Sequence, residues 1–193
     1  MQTAPGGTSP SGGPANEGPA RLLALYERAL PQVYGYLVRR CGTDALAEDL
    51  TSDVFMAAAA ALRTGAVEEI GVPWLIGTAR HKLIDHWRRN ERQRRAFTVV
   101  AGGETATASQ QSGDPQHEPI ATRHAHEVLE QLSAEHRSAL TLRYIDGLAV
   151  SEVAAGLGRS VHATESVLQR AKAAFRKASA EQRRADREEH GHG

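Results

Sequence analysis

Cysteine occurs once, at Cys41, in a chain of 193 residues. One thiol closes no internal disulfide and builds no thiolate zinc cage, which needs several cysteines at short spacing. Aromatic residues are few, at 5%, and no apolar run approaches the roughly 20 residues that a membrane-spanning helix needs. Membrane insertion is therefore not expected. The first residues carry neither the basic stretch nor the apolar core of a secretory signal, which points to a cytoplasmic protein. Neither charge sign is in excess: basic and acidic residues both number 23, so the distribution of charge decides more than its total. Long alternating Val, Ile and Thr runs are missing, as is any repeat period, so no strand signal competes with the helical ones. The expected class is all-α, and a mass of 20.8 kDa leaves room for one ordinary domain or two small ones.

The chain opens on a tail at 1–20 that is rich in Gly, Pro, Ser and Thr. Such a segment cannot bury enough surface to offset its ordering entropy, and disorder is expected there. From Arg21 the pattern turns helical, with Leu22, Leu25, Tyr26, Leu30, Val33, Tyr34 and Leu37 recurring at spacings of three and four. A second helix opens at Thr43 or Asp44, either a good N-cap, and sets Leu46, Leu50, Val54, Phe55, Ala58 and Leu62 against an acidic face of Glu48, Asp49, Ser52 and Asp53. Past Gly65, Gly71 and Pro73 a third helix buries Ile76, Ala79, Leu83 and Trp87, with Lys82, Arg88, Arg89 and Arg92 opposite. Between Arg80 and Arg95 stand seven basic residues against two acids, a stripe able to release phosphate counterions. Trp74, His81, His86, Trp87 and Phe97 interleave with it, and flat side chains beside cations suit a single strand or an opened duplex. Residues 97–122 lack periodicity and read as a flexible linker.

Beyond the linker, helical patterns over Arg123–Leu132 and Ser133–Tyr144 lead to Ala149–Lys177, which reads as two helices joined by a tight turn. Ser151 and Ser160 stand at the expected N-caps and Gly158 where the first of the two must stop. The second helix gathers Ala163, Val167, Leu168, Ala171, Ala174 and Phe175 on an apolar arc. This is the pattern of a helix-turn-helix, whose second helix enters a major groove. Base reading falls to Arg159, His162, Glu165, Ser166 and Gln169, and phosphate holding to Arg170, Lys172 and Arg176, with Ser160 counted in the same DNA-binding set. Glu165 repels phosphate and fits such a face only opposite a cytosine amino group.

Three motifs in order, AEDLTSDVF at 47–55, PWLIGTARHKLID at 73–85 with its basic tail, and LSAEHRSALTLRYIDGL at 132–148 before the helix-turn-helix, resemble bacterial sigma-70 family initiation factors of the small extracytoplasmic-function (ECF) group. The resemblance covers the chain apart from the first twenty residues, the linker and the C-terminal tail. It implies a sigma-2 domain at 21–96 and a sigma-4 domain at 123–178, with the linker at 97–122 between them and disordered tails at 1–20 and 179–193. It implies that Glu48, Asp49 and Asp53 dock on the clamp helices of the largest subunit of core RNA polymerase, and that the beta flap is a further contact. Trp74, Arg80, His81, Lys82, Arg88, Arg89 and Arg92 would hold the minus-ten element and trap its unpaired strand, while the helix-turn-helix reads the minus-thirty-five element as duplex. An anti-sigma factor is implied as a restraining partner, and neither a cofactor, a metal nor catalysis is implied. Ser52 stands where the family commonly has glutamine, His81 where it has asparagine, and His162 to Glu165 replace a Gly-Thr-Val-Lys-like run, which leaves the promoter sequence open.

Two other function classes remain at this point. An enzyme would draw on the nine histidines, but HExxH is absent, and His124 and His126, two apart, diverge on a helix. A free-standing helix-turn-helix repressor would have no use for the acidic face at Glu48 and Asp49. Cys41, at the end of an apolar helix, reads as a small core residue or a redox sensor.

Overall fold

The structure, a computed structural model, describes residues 17–67, 69–101 and 120–190. Residues 1–16 of the expected tail and 102–119 of the expected linker lie outside the described residues. Every regular element among those described is helical, in keeping with the all-α class.

The first three helices, α1 (Glu17–Cys41), α2 (Asp44–Thr64) and α3 (Val72–Ala101), form an N-terminal bundle. Along α1, Leu25, Ala29, Val33, Leu37 and Cys41 recur at every fourth position and all are buried, because residues four apart share one helix face. They meet Ala47, Leu50, Val54 and Ala58 of α2 and Leu75, Ala79, Leu83 and Trp87 of α3 in one core. The alanines at 29, 47, 58 and 79 have no exposed surface, and their small side chains let the helix backbones approach. Thr43 is the N-cap of α2, its hydroxyl accepting from the Leu46 N–H at 3.3 Å. Gly65, at φ 67°, ends α2 in the left-handed conformation that glycine adopts without strain.

Three expectations shift in this bundle. Tyr26 is 40% exposed and packs edge-on to Phe55 at 4.6 Å between ring centres. Ile76 is only half-buried, whereas Leu75 beside it is fully buried. Ile84, outside the expected stripe, is buried as well, because α3 is covered on two sides.

The C-terminal unit comprises α4 (Ile120–Gln131), α5 (Ala134–Leu140), a wider π-helical turn over Thr141–Ile145, α6 (Val150–Leu157) and α7 (Val161–His190). Ser138, Ala139, Val153, Thr164 and Val167 are fully buried there. The helix-turn-helix forms with one correction: Ala149, not Ser151, is the N-cap of α6. The Glu152 carboxylate reaches back to accept from the Ala149 N–H at 2.7 Å, and this satisfies an end donor from inside the first turn. Gly158, at φ 66°, stops α6, and the Ser160 hydroxyl accepts from Ala163 N–H at 3.2 Å to start α7.

Helices also run further than expected. α1 begins at Glu17, α3 reaches Ala101 and α4 begins at Ile120. The tail expected over 179–193 is helical through His190. Strong helix formers fill that stretch, and α4 packs beside it. His124 meets the buried Ser179 at 3.3 Å, and Gln182 donates to Glu127 at 2.7 Å and accepts from Gln131 at 2.9 Å.

The two units lie against each other. Ile84 of α3 joins Ala139, Leu142, Val153, Leu157, Val167 and Leu168 in one cluster, and Ala134 of α5 joins the N-terminal core. Among the described residues no helix is long and apolar enough to cross a membrane. Leu37 has no exposed surface and Leu23 is 61% exposed. Leu37→Ala is therefore expected to cost about 2–5 kcal/mol in urea unfolding and Leu23→Ala no more than about 0.5 kcal/mol. Equal costs would contradict this placement of the core.

Candidate nucleic-acid interface

The second helix of the helix-turn-helix presents its polar side to solvent. His162, Glu165, Ser166, Gln169, Arg170, Lys172 and Arg176 of α7 are all exposed, as are Arg159 and Ser160 in the turn before it. The apolar arc below fixes this orientation, with Val167, Leu168 and Ala171 buried. Thr164, absent from the expected arc, is buried too, its hydroxyl donating to the Ser160 carbonyl at 2.9 Å. Local pairing tunes the face. His162 lies 3.9 Å from Glu165, Arg159 is ion-paired with Glu135 of α5, and Lys172 sits 5.2 Å over the Tyr144 ring. What remains is a row of donors and acceptors along one helix face.

The basic face of α3 is divided. His81, Arg89 and Arg92 are exposed, and Trp74 is half-buried near the start of the helix. Lys82 pairs across to Asp53 of α2 at 3.5 Å, both side chains being partly exposed, so the pair is a weak surface contact. Arg88 and Arg80 instead turn toward the C-terminal unit. Arg88 donates to the Leu157 carbonyl at 3.1 Å, and Arg80 donates through Nε to Asp146 at 2.8 Å.

Asp146 is the centre of a group that sequence reasoning missed. Its carboxylate has no solvent exposure, and Arg40 of α1 pairs with it at 2.6 Å through one guanidinium nitrogen and donates at 3.2 Å through Nε. The Tyr36 hydroxyl donates to its other oxygen at 2.9 Å. Arg40 is also held by its own helix, stacking 3.8 Å over the Tyr36 ring and donating to the Tyr36 carbonyl at 2.7 Å. The π turn aims the acid, since Asp146 N–H donates to the Thr141 carbonyl at 2.9 Å, five residues back. Burial and the neighbouring carboxylate push the Tyr36 phenol above its ordinary value. Burial works against the charge of Arg80, but its bond and charge pairing with Asp146 outweigh this and raise its pKa. Tyr36 and Arg40, four apart on α1, were a readable pair, but Asp146 lies 110 positions beyond Tyr36 and no local signal joins them.

The acidic face of α2 stays free of the packed core. Glu48, Asp49, Ser52 and Asp53 are exposed, and Met56 beside them is 68% exposed. Among the other singled-out groups, Cys41 is buried. Burial pushes its thiol up to about 12 against the nearby charges of Arg137 and Arg40, which leaves an unreactive thiol in a core position. Arg137 lies 4.4 Å over the Trp87 ring, so this indole is covered by the C-terminal unit and is no free stacking platform.

Comparison with known proteins bears on both units. The family model described as Sigma-70 region 2 matches residues 25–93, and that described as Sigma-70, region 4 matches residues 123–175. The RNA polymerase sigma factor CarQ of Myxococcus xanthus is 32% identical over 139 residues, covering 70% of this chain and 76% of CarQ. The ECF RNA polymerase sigma factor BldN of Streptomyces coelicolor is 29% identical over 152 residues, covering 76% of this chain but only 56% of BldN. The fold is similar to that of the sigma factor RpoE in its complex with the anti-sigma factor NepR from Bartonella quintana. That likeness has a TM-score of 0.54 at 20% identity and covers 82% of this chain and 96% of that one.

His86 stands at the junction of the units, and burial, with the charges of Arg89 and Arg137, lowers its pKa. The unfolded chain therefore takes up a proton there before the folded chain does, and stability falls as pH drops below about 6.5. His86→Gln is expected to flatten this fall in thermal unfolding followed across that range. An unchanged slope would place the acid sensitivity elsewhere.

Proposed function

The chain belongs to the sigma-70 family, in its ECF group, and from that premise we propose how its surfaces divide the work of a promoter-specific initiation factor. The observation that carries the reading is that sigma-70 regions 2 and 4 occur in that order on one chain, each with a solvent-facing polar surface of distinct charge. The exposed acids Glu48, Asp49 and Asp53 on α2 bind the clamp helices of the largest subunit of core RNA polymerase, and Met56 adds an apolar contact at their edge. The C-terminal unit docks on the beta flap.

The α3 face, with Trp74, Arg80, His81, Lys82, Arg88, Arg89 and Arg92, holds the minus-ten element. Opening the duplex costs base stacking, and phosphate contacts with captured bases offset it. The exposed row on α7 from His162 to Arg176, with Arg159 and Ser160, reads the minus-thirty-five element in the major groove. Boundaries at 21–96 for sigma-2, 97–122 for the linker and 123–178 for sigma-4 fit this division, with α7 continuing beyond it. The protein works in the cytoplasm, without cofactor or catalysis of its own. An anti-sigma factor restrains it, as NepR is found in complex with the Bartonella RpoE.

Run-off transcription on pooled genomic DNA of the source organism tests the reading. Core polymerase with this chain is expected to give RNA 5′ ends that core polymerase alone does not, sharing two upstream motifs. Asp49→Ala is expected to weaken capture of core polymerase about tenfold, the loss of one good contact of about 1.4 kcal/mol. Duplex binding without any new start would favour a repressor instead, and undiminished capture by the variant would assign the acidic face another partner.

A further inference from the structure

We propose that Tyr36, Arg40 and Arg80 form a phosphate-binding socket for the unpaired promoter strand, and that Asp146 of the chain's own sigma-4 unit occupies this socket while the two units are closed on each other. The inference rests on the reading of α3 as the minus-ten surface, and adds to it two residues of α1 and an internal competitor.

The geometry of the socket is that of an anion site. Two guanidinium groups and a phenol hydroxyl converge on one carboxylate, Arg40 through two of its nitrogens onto the same oxygen, Arg80 and Tyr36 onto the other. Guanidinium forks bind carboxylate and phosphate with the same charge-assisted bonds, so the two anions are interchangeable ligands. Arg40 does not depend on Asp146 for its position, because stacking on Tyr36 and a bond to the Tyr36 carbonyl already hold it. When Asp146 leaves, α1 still presents the cation. Arg80 precedes His81 and Lys82 on α3, so the socket is continuous with the face proposed to meet DNA.

Asp146, for its part, spends its carboxylate on the other unit. Its side-chain bonds run to Tyr36, Arg40 and Arg80 across 66 to 110 positions of chain, and the acid is followed by Gly147 in the left-handed conformation at φ 70°, just past the π turn. The same closure takes Arg88 to the Leu157 carbonyl and seats the Glu91 carboxylate on the Ala134 N–H at 3.0 Å. Closed, the chain covers part of its minus-ten surface; separation of the units uncovers it.

The test uses the full chain and a fluorescein-labelled mixed-sequence DNA single strand of about 30 nucleotides, long enough for several phosphate contacts. Asp146→Asn removes the competing charge, and tighter binding than wild type by about tenfold is expected. Adding Arg40→Ala and Arg80→Ala to it is expected to cancel the gain and to lower the salt slope of log K by about 1.4, the loss of two phosphate contacts on a single strand. Circular dichroism checks that each variant keeps the wild-type helix content, and Asp146→Ala replaces Asp146→Asn if the latter does not fold. Binding no tighter than wild type, or a gain that survives loss of both arginines, would overturn the socket. No polymerase enters this assay, so its failure and a failure of run-off transcription are read separately.

Discussion

A carboxylate withdrawn completely from water must be neutralised, and Asp146 finds its neutralising charges only in the other half of the chain. Two arginines and a tyrosine hydroxyl surround it, and taking away either side would leave a buried charge whose isolation costs several kcal/mol. Around that polar point the contact is apolar: Ile84 enters the C-terminal core, Ala134 enters the N-terminal one, and Arg137 lies over Trp87. Apolar burial has no direction, so it favours closeness of the two units without specifying how they meet. The Asp146 cluster supplies the direction, since its bonds form in one relative orientation only.

The surfaces that remain open are informative in relation to this closure. The acidic face of α2 and the polar row of α7 both stay exposed in the closed chain. The basic face of α3 is treated differently: His81, Arg89 and Arg92 stay exposed while Arg80 and Arg88 are engaged by the neighbouring unit. A chain arranged in this way leaves the acids of α2 open and the cations of α3 open only in part.

What could be read from the sequence was local. The apolar spacing that placed Leu25, Val33 and Leu37 in the core of α1, the α2 cap at Thr43 or Asp44, the Gly158 stop and the Ser160 start of α7 each depend on neighbours within one or two turns; the structure buries those three residues and makes Thr43 the cap, Gly158 the stop and Ser160 the start. The exposed row of α7 followed from its apolar arc by simple helical geometry. Ser151 misled because a serine beside an apolar run resembles a cap, whereas Glu152 reaching back to Ala149 does that work. The long α7 was hidden by its charge-rich sequence, which looks like a frayed end until α4 supplies His124, Glu127 and Gln131 as partners. Arg80 shows the limit most clearly: its basic neighbours made it a phosphate ligand in the sequence, and only the fold reveals the carboxylate that meets it.

The most direct measurement is the distance between the two units in solution. Spin labels on cysteines introduced at the exposed Ala45 of α2 and Ala173 of α7, in a chain with Cys41→Ala, report it by pulsed dipolar spectroscopy. A single narrow distance in the free chain, replaced by a longer one on addition of core RNA polymerase, is the predicted result. A broad distribution in the free chain, the same with and without polymerase, would contradict the closed arrangement centred on Asp146.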